Sequence, residues 1–398
     1  MSKSRIASID ILRGIVMVIM ALDHVRDFWH QQMSMDGQDL GGDPTNMAST
    51  TPILFFTRFI THFCAPTFVF LTGTSAYLIG LRKSRKELSL FLIKRGLWLI
   101  LVELLVITLA ITFNPLYNIL ILQVIWVIGW SMVILGLMVW LPYEVILVTG
   151  LVIMFGHNAL DLIGVSDSVK NSPLGMIFYY SYNVVIPLSA DRMIFVLYSL
   201  LPWLGTMLTG YGFGKLFEPT VTPERRVKML WMLGLGSLAF FVVMRFINGY
   251  GDQNPWAVQP RGTVYTILSF LNITKYPASL LYYACTLGVA MVALAMLEHT
   301  QNRFTKVMNV FGRVPFFYYV IHFFAIHFIT VIIFFIQGYG AKDIVSPNNP
   351  FLFRPFTLGF PLWGVYVGWI LLIIALYPLC KKYDRYKSTH KHWWLSYL

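Results

Sequence analysis

Four ionisable side chains fall on one face of the first apolar stretch of this 398-residue chain, RIASIDILRGIVMVIMALDHVRDFW. Arg13 and His24 are eleven positions apart, which at about 100° per residue places them within about 20° of each other around a helix and about 16 Å apart along it. Asp10 sits one turn before Arg13 and Asp27 one turn after His24, spacings at which helical side chains meet. A charge in mid-membrane costs roughly 2.5–3.5 kcal/mol on insertion scales, so such a stripe is expected to face protein or water rather than lipid. The competing reading has Arg13 snorkelling to one surface while Asp23 to Asp27 already reach the other. An imidazole on such a seam can take a proton from a hydroxyl or amine, a step worth about 10² to 10⁴ in rate. A carboxylate one turn away, here Asp27, can fix the ring's tautomer.

The second apolar stretch, FTRFITHFCAPTFVFLTGTSAYL, repeats the theme. Arg58 and His62 share a face at i and i+4, and Pro66 removes the backbone hydrogen bond to the His62 carbonyl. His62 is expected at a depth similar to His24, or else as a buried structural histidine. In GRVPFFYYVIHFFAIHF, Tyr318 and Tyr319 lie within hydrogen-bonding reach of His322, whereas His327 is on another face; a histidine satisfied by a tyrosine is the plainer reading. Gly210, Gly212 and Gly214 before Lys215 would let backbone approach a phosphate, although glycines in membrane helices more often serve packing. The basic runs RKSRKELSLFLIKR and PERRVK could bind phosphates or simply mark topology. Cys64, Cys285 and Cys380 are scattered, with no disulfide or metal-ligand spacing.

These residues must be positioned by a membrane fold. The chain is 57% hydrophobic and 12% charged, outside the range of water-soluble domains. Stretches long enough to cross about 30 Å of hydrocarbon occur near 8–29, 52–81, 92–112, 119–141, 144–163, 192–214, 229–249, 276–297, 315–337 and 358–380. The expected fold is therefore an all-α polytopic membrane protein of about ten transmembrane helices with both termini cytoplasmic, a single transmembrane domain over 1–398. With that orientation 19 of the 30 Lys and Arg residues fall on inner segments and six on outer ones, as the positive-inside rule requires. The net charge of +12 then needs no nucleic-acid partner. The first helix resembles a signal peptide, but charge breaks its apolar core and no clean cleavage site follows, so it is expected to be retained. Polar loops at 30–51, 164–191 and 250–275 could cover or admit a ligand. No fixed-period repeat or symmetry between halves is evident.

The opening two helices, together with YSLLPWLGTMLTGYGFGKL, ITKYPASLLYYACTLG and HWWLSYL, resemble the bacterial relatives of lysosomal heparan-alpha-glucosaminide N-acetyltransferase. The spacing of Arg13 and His24 is also similar to that of bacterial membrane O-acyltransferases that modify surface polysaccharides. The resemblance implies transfer of an acyl group from cytoplasmic acyl-CoA to an acceptor across the membrane, in the bacterial cytoplasmic membrane. It matches Arg13 and His24 to the paired residues of the O-acyltransferases, and places His24 and His62 where the lysosomal enzyme has polar site residues. That enzyme carries a catalytic histidine in the loop after its first helix, where this chain offers only His30.

On that basis His24, His62 and Asp27 are expected to be catalytic, with His24 as general base and His62 or Arg58 stabilising an oxyanion. Arg13, Asp10, Arg58, Lys215 and Arg313 are expected to hold acetyl-CoA or another acyl-CoA, and Asp23, Lys275, Tyr276 and His322 the acceptor. No metal is expected. The expected partners are the lipid bilayer, acyl-CoA and an extracytoplasmic glycan or amino-sugar acceptor, with a homodimer left open. Tyr250 and Trp256 could stack on sugar rings or belong to an interfacial aromatic belt. The rival function is a proton-coupled secondary transporter in which His24, Asp27, His62 and His322 form a relay; a non-catalytic scaffold leaves the polar stripe unexplained.

Overall fold

The computed structural model describes residues 6–31, 43–181, 184–346 and 351–396, so half of the 30–51 loop, residues 32–42, lies outside the described residues. The main helices are α1 (Ala7–Trp29), α2 (Pro52–Thr61), α3 (Cys64–Gly80), α4 (Arg85–Val102), which continues through a π-turn at Glu103–Ile107 into α5 (Thr108–Thr112), α6 (Val124–Met138), α7 (Tyr143–Gly156), α8 (Leu200–Phe213), α9 (Pro223–Ile247), α10 (Leu280–Leu297), α11 (Arg303–Arg313), α12 (Pro315–Ile336) and α13 (Leu362–Thr389). Several start where local chemistry dictates. Thr51 before Pro52 and Thr222 before Pro223 each accept the N–H three residues on, at 3.3 Å, and proline at the first helical position lacks a donor that would otherwise go unsatisfied.

Among the described residues six helices are long and apolar enough to cross a membrane: Pro52–Gly80, Tyr143–Leu162, Pro223–Ile247, Leu280–Leu297, Pro315–Ile336 and Leu362–Thr389. They make the protein an integral membrane protein. The other four expected stretches are also helical over most of their length. They differ in kind, however: α1 carries five charged residues, α4 begins in a basic run, and α6 and α8 have 15 and 14 residues.

The all-α expectation needs correction. A three-stranded sheet lies beside the helices in the order β1-β3-β2, with β1 (Ile119–Leu122) parallel to β3 (Met193–Val196) and β2 (Val184–Pro187) antiparallel to it. Two of these strands occupy the beginnings of the stretches expected to be helical at 119–141 and 192–214. The cause is the sequence itself: ILIL and MIFV are short unbroken apolar runs, which periodicity cannot assign to helix or strand. The expected crossing at 52–81 is present as one span, Pro52–Gly80, broken at His62–Phe63 into α2 and α3. Pro66 cannot donate to the His62 carbonyl, so the ladder fails there.

The helices pass one another at glycines. A Cβ on Gly14 would stand 1.8 Å from the Met308 carbonyl oxygen, and one on Gly312 1.7 Å from that of Asp10, so α1 and α11 meet backbone to backbone. Gly73 and Gly210 do the same for α3 and α8, at 2.1 Å from Met207 O and Phe70 O. Gly212 faces the Leu147 side chain and Gly214 the Tyr77 ring. The glycine run before Lys215 is thus a packing surface, of the kind that lets membrane helices approach closely. Gly312→Ala is expected to destabilise the fold by about 1–3 kcal/mol or more, because backbone rather than a flexible side chain must move. Gly236→Ala, which would meet nothing within 4 Å, should be neutral; thermal melting of the two purified variants checks the contrast.

Candidate active site

A cavity of about 370 Å³ opens beside the second half of α1. Met17 and Phe28 both line it, so it follows α1 for about 16 Å. The order of the lining residues along α1, α3, α4 and α12 gives the cavity two ends: Met17, Thr72, Arg95 and Pro315 come toward one, and Asp27, Phe28 and Thr61 toward the other, where Arg58 pairs with Asp23, Lys275 acts on the Asp23 charge and Phe351 stacks on Phe28. His24 lies in the wall between them, half buried. Its ring packs 4.3 Å from Phe323 and 5.3 Å from His322, centroid to centroid.

Asp23, next to His24, is buried and joins two helices. Its carboxylate pairs with Arg58 on α2 and lies 2.8 Å from Nη2 of Arg26. The same Nη2 donates to Asp27 at 2.6 Å. Two guanidiniums thus share two carboxylates at the His24 end of the cavity. Buried pairs of this kind are net costly to assemble but far more costly to break, because removing one member strands the other.

The opposite wall comes from the turn before α10. Asp252 accepts hydrogen bonds from the Thr274 amide (3.0 Å), the Thr274 hydroxyl (2.8 Å) and the Ser279 hydroxyl (2.7 Å), clamping the segment that carries Lys275 and Tyr276. Lys275 Nζ stands 5.1 Å over the Tyr276 ring and 5.9 Å over that of Tyr198. The cover at this end is tied by Arg354, whose guanidinium donates to the carbonyls of Pro355 (2.8 Å), His30 (3.0 Å) and Asp27 (3.3 Å). That knot brings Phe351 into the cavity wall. It also fixes the backbone of His30, whose imidazole is held below its usual value by burial and by the Arg26 and Arg354 charges.

The structure therefore brings His24, Asp23, Asp27, Arg58, Lys275 and Tyr276 to one cavity and leaves the other expected residues apart. Asp27 binds Arg26 rather than the His24 ring, because that guanidinium is adjacent and charged. His62 is behind the wall: its carbonyl, freed by Pro66, accepts from the Tyr282 hydroxyl at 2.8 Å, and its ring is 5.5 Å from that of Tyr282. His322 touches His24 but is off the cavity surface. Its Nδ1 meets the Tyr318 backbone carbonyl at 3.1 Å, and the Tyr318 ring stacks on it instead of donating its hydroxyl. Arg13 is taken up by Asp10 (3.3 Å), the Leu71 carbonyl (3.0 Å) and the Ser75 hydroxyl, at the α1–α11 crossing below the cavity. Arg313 pairs with Asp384 at 3.0 Å, and Lys215 sits 4.9 Å over the Tyr143 ring; neither lines the cavity.

Arg26, Arg95, Tyr198 and Tyr319 line the cavity without having been singled out as site residues. Arg26 was detectable from its i,i+3 spacing to Asp23. Arg95 sits in a basic run whose topological reading conceals any single member. Asp23→Ala should cost about 3–5 kcal/mol by stranding Arg26 and Arg58, seen as a lower melting temperature. Tyr282→Phe should cost about 1–3 kcal/mol by leaving the His62 carbonyl without its donor, without removing any group from the cavity wall.

Residues 5–246 match the family model for the catalytic domain of heparan-alpha-glucosaminide N-acetyltransferase. Among curated proteins, none matches this chain. The matched segment contains α1 to α8 and nearly all of α9, with His24, Asp23, Arg26, Asp27, Arg58 and Arg95 of the cavity. A match over more than half of its length places the chain in the heparan-alpha-glucosaminide N-acetyltransferase catalytic-domain family.

Proposed function

We propose that the protein is a membrane-embedded acyltransferase that moves an acyl group, in the first instance acetyl, from cytoplasmic acyl-CoA to a sugar amine or hydroxyl on the other side of the membrane. The observation that carries this reading is the His24 ring in the wall of an elongated cavity, with charged residues at both ends and apolar side chains between. Ten crossings with both termini on the cytoplasmic side fit the distribution of Lys and Arg, and put the Arg95 end of the cavity toward the cytoplasm. The acyl-pantetheine arm then enters past Arg95, and the acceptor arrives past Asp27 and Lys275.

In the reaction His24 takes the proton from the acceptor's amine or hydroxyl as the nucleophile attacks the thioester carbonyl. The tetrahedral intermediate collapses by breaking the C–S bond, and the departing CoA thiolate recovers the proton from the imidazolium. Arg58, fixed by Asp23 on the same cavity wall, is the charge available to the developing oxyanion, and a charge held in place in a site that excludes water is worth more than one in solution. Asp23 therefore acts as a positioning residue. His62, behind the wall, is not given a direct part.

Acetyl-CoA added to the purified protein should raise its melting temperature, since a ligand at 100 times its dissociation constant adds about 2.7 kcal/mol. No shift with acetyl-CoA, propionyl-CoA or CoA overturns the proposal. With an amino-sugar acceptor present, release of free CoA thiol should fall by about 10² to 10⁴ in His24→Ala, while acetyl-CoA still stabilises the variant. Full activity in that variant removes His24 from the mechanism.

A further inference from the structure

We propose that the Lys275 end of the cavity recognises an anionic group, a carboxylate or a phosphate, carried by the acceptor itself. The inference rests on the acyltransferase reading for the word acceptor, and on the charges lining the cavity for the word anionic. Six charged side chains line that cavity: Asp23, Arg26, Asp27, Arg58, Arg95 and Lys275. Four are cations and two are carboxylates. Arg95 belongs to the far end, which leaves three cations and both carboxylates around His24.

The two carboxylates are already committed. Asp23 is held by Arg58 and Arg26, and Asp27 by Arg26. Lys275, only 8% exposed, has no carboxylate within ion-pair distance among the described residues; the Tyr276 side chain hydrogen-bonds it, its ammonium faces the rings of Tyr276 and Tyr198, and the Asp23 charge acts on it from farther off. Asp252, which clamps the segment carrying Lys275, is occupied by Thr274 and Ser279 and lies 3.9 Å from Arg245. In addition, Nη1 of Arg26 is buried with no hydrogen-bond partner. Three cations against two carboxylates leave this buried end with one positive charge in excess, which is costly at membrane depth, and such residues pair or mark a ligand path. An incoming carboxylate or phosphate would satisfy the Lys275 ammonium and the free edge of Arg26 together, and the flanking tyrosines would offer it an apolar rim.

The position of these donors assigns the anion to the acceptor. Arg26, Arg58 and Lys275 lie at the α1 C-terminal end of the cavity beside His24, whereas acyl-CoA comes from the Arg95 end and its phosphates stay there. A transient oxyanion would use one of these cations only during the chemical step. An anion resident on the acceptor uses them already in the ground state, so the two differ in whether binding or only turnover responds.

The test compares glucosamine, glucosamine 6-phosphate, 2-amino-2-deoxyglucuronic acid and inorganic phosphate as ligands of the purified full chain, by thermal shift and by titration. The expected result is at least tenfold tighter binding of one or both anionic sugars than of glucosamine, with the phosphate or carboxylate arm identifying the group. Lys275→Gln should abolish that preference and Lys275→Arg should keep it. If Lys275→Gln does not fold, protection of the wild-type protein by inorganic phosphate, and its competition with the preferred anionic sugar, gives the same answer. Equal binding of neutral and anionic sugars, or an anionic preference that survives in Lys275→Gln, overturns the proposal. So does an effect of Lys275→Gln on turnover alone. Acetyl-CoA run in parallel separates the two readings: stabilisation by acetyl-CoA without anion preference leaves the acyltransferase standing and removes this site, and the reverse outcome does the opposite.

Discussion

The carboxylate of Asp23 is the joint on which the cavity depends. It is buried on α1, yet its partners come from two places: Arg26 one turn along the same helix and Arg58 on α2. A charge at this depth is costly, and the cost is offset only if both guanidiniums hold their positions. The pairing therefore fixes how far α1 and α2 stand apart and which side of α1 faces the cavity. His24, the next residue, is aimed by that constraint more than by any hydrogen bond of its own. The break at His62 belongs to the same arrangement, since a straight helix over 52–81 would carry Arg58 and Cys64 in a fixed relation. The Tyr282 hydroxyl seals the carbonyl that the break exposes.

Around this joint the bundle is built to be stiff. Backbone meets backbone at Gly14 with Gly312 and at Gly73 with Gly210, and these crossings brace α1 and α3, the two helices that flank the cavity. Small residues allow close approach where no hydrophobic effect separates lipid from helix. Larger voids are then confined to places where the helices diverge. The cavity is one of them, between the half of α1 that has left the α11 crossing and the ends of α4, α6 and α12.

Much of this was legible in the sequence, and where the structure places residues differently the causes are physical. Apolar length located the main helices, and the intramembrane charges pointed to α1 and α2, because burying charge is too costly to occur without a reason. Periodicity placed Arg13 and His24 on one face, which is a statement about angle and not about depth. At Arg13 the face is closed by Leu71 and Ser75 of α3; at His24 it is open. Spacing alone also chose Asp27 as the partner of His24, whereas an adjacent guanidinium outcompetes an imidazole for the same carboxylate. Lys215 and Arg313 were selected as cations near a surface, a property many residues share, and tertiary packing gives them a tyrosine ring and Asp384. The strands at Ile119–Leu122 and Met193–Val196 were hidden because four apolar residues carry no usable period.

Three imidazoles gather near one another in this part of the bundle, and their differences bear on which chemistry the site can support. A relay of protons through the membrane would need His24, Asp27, His62 and His322 in an unbroken polar series, and Asp27 is paired with Arg26. His62 is instead separated from the cavity surface, with its ring packed against Tyr282 and Phe59. His322 is enclosed by Tyr318, Tyr319 and Phe323, and its Nδ1 is spent on a backbone carbonyl. Only His24 meets open space. A single half-buried imidazole on the cavity wall between two charged ends suits a proton that is borrowed and returned within one reaction, as in attack on a thioester and release of a thiolate, better than a proton that must be passed on. That asymmetry, set by packing around three otherwise similar side chains, is what favours group transfer over transport.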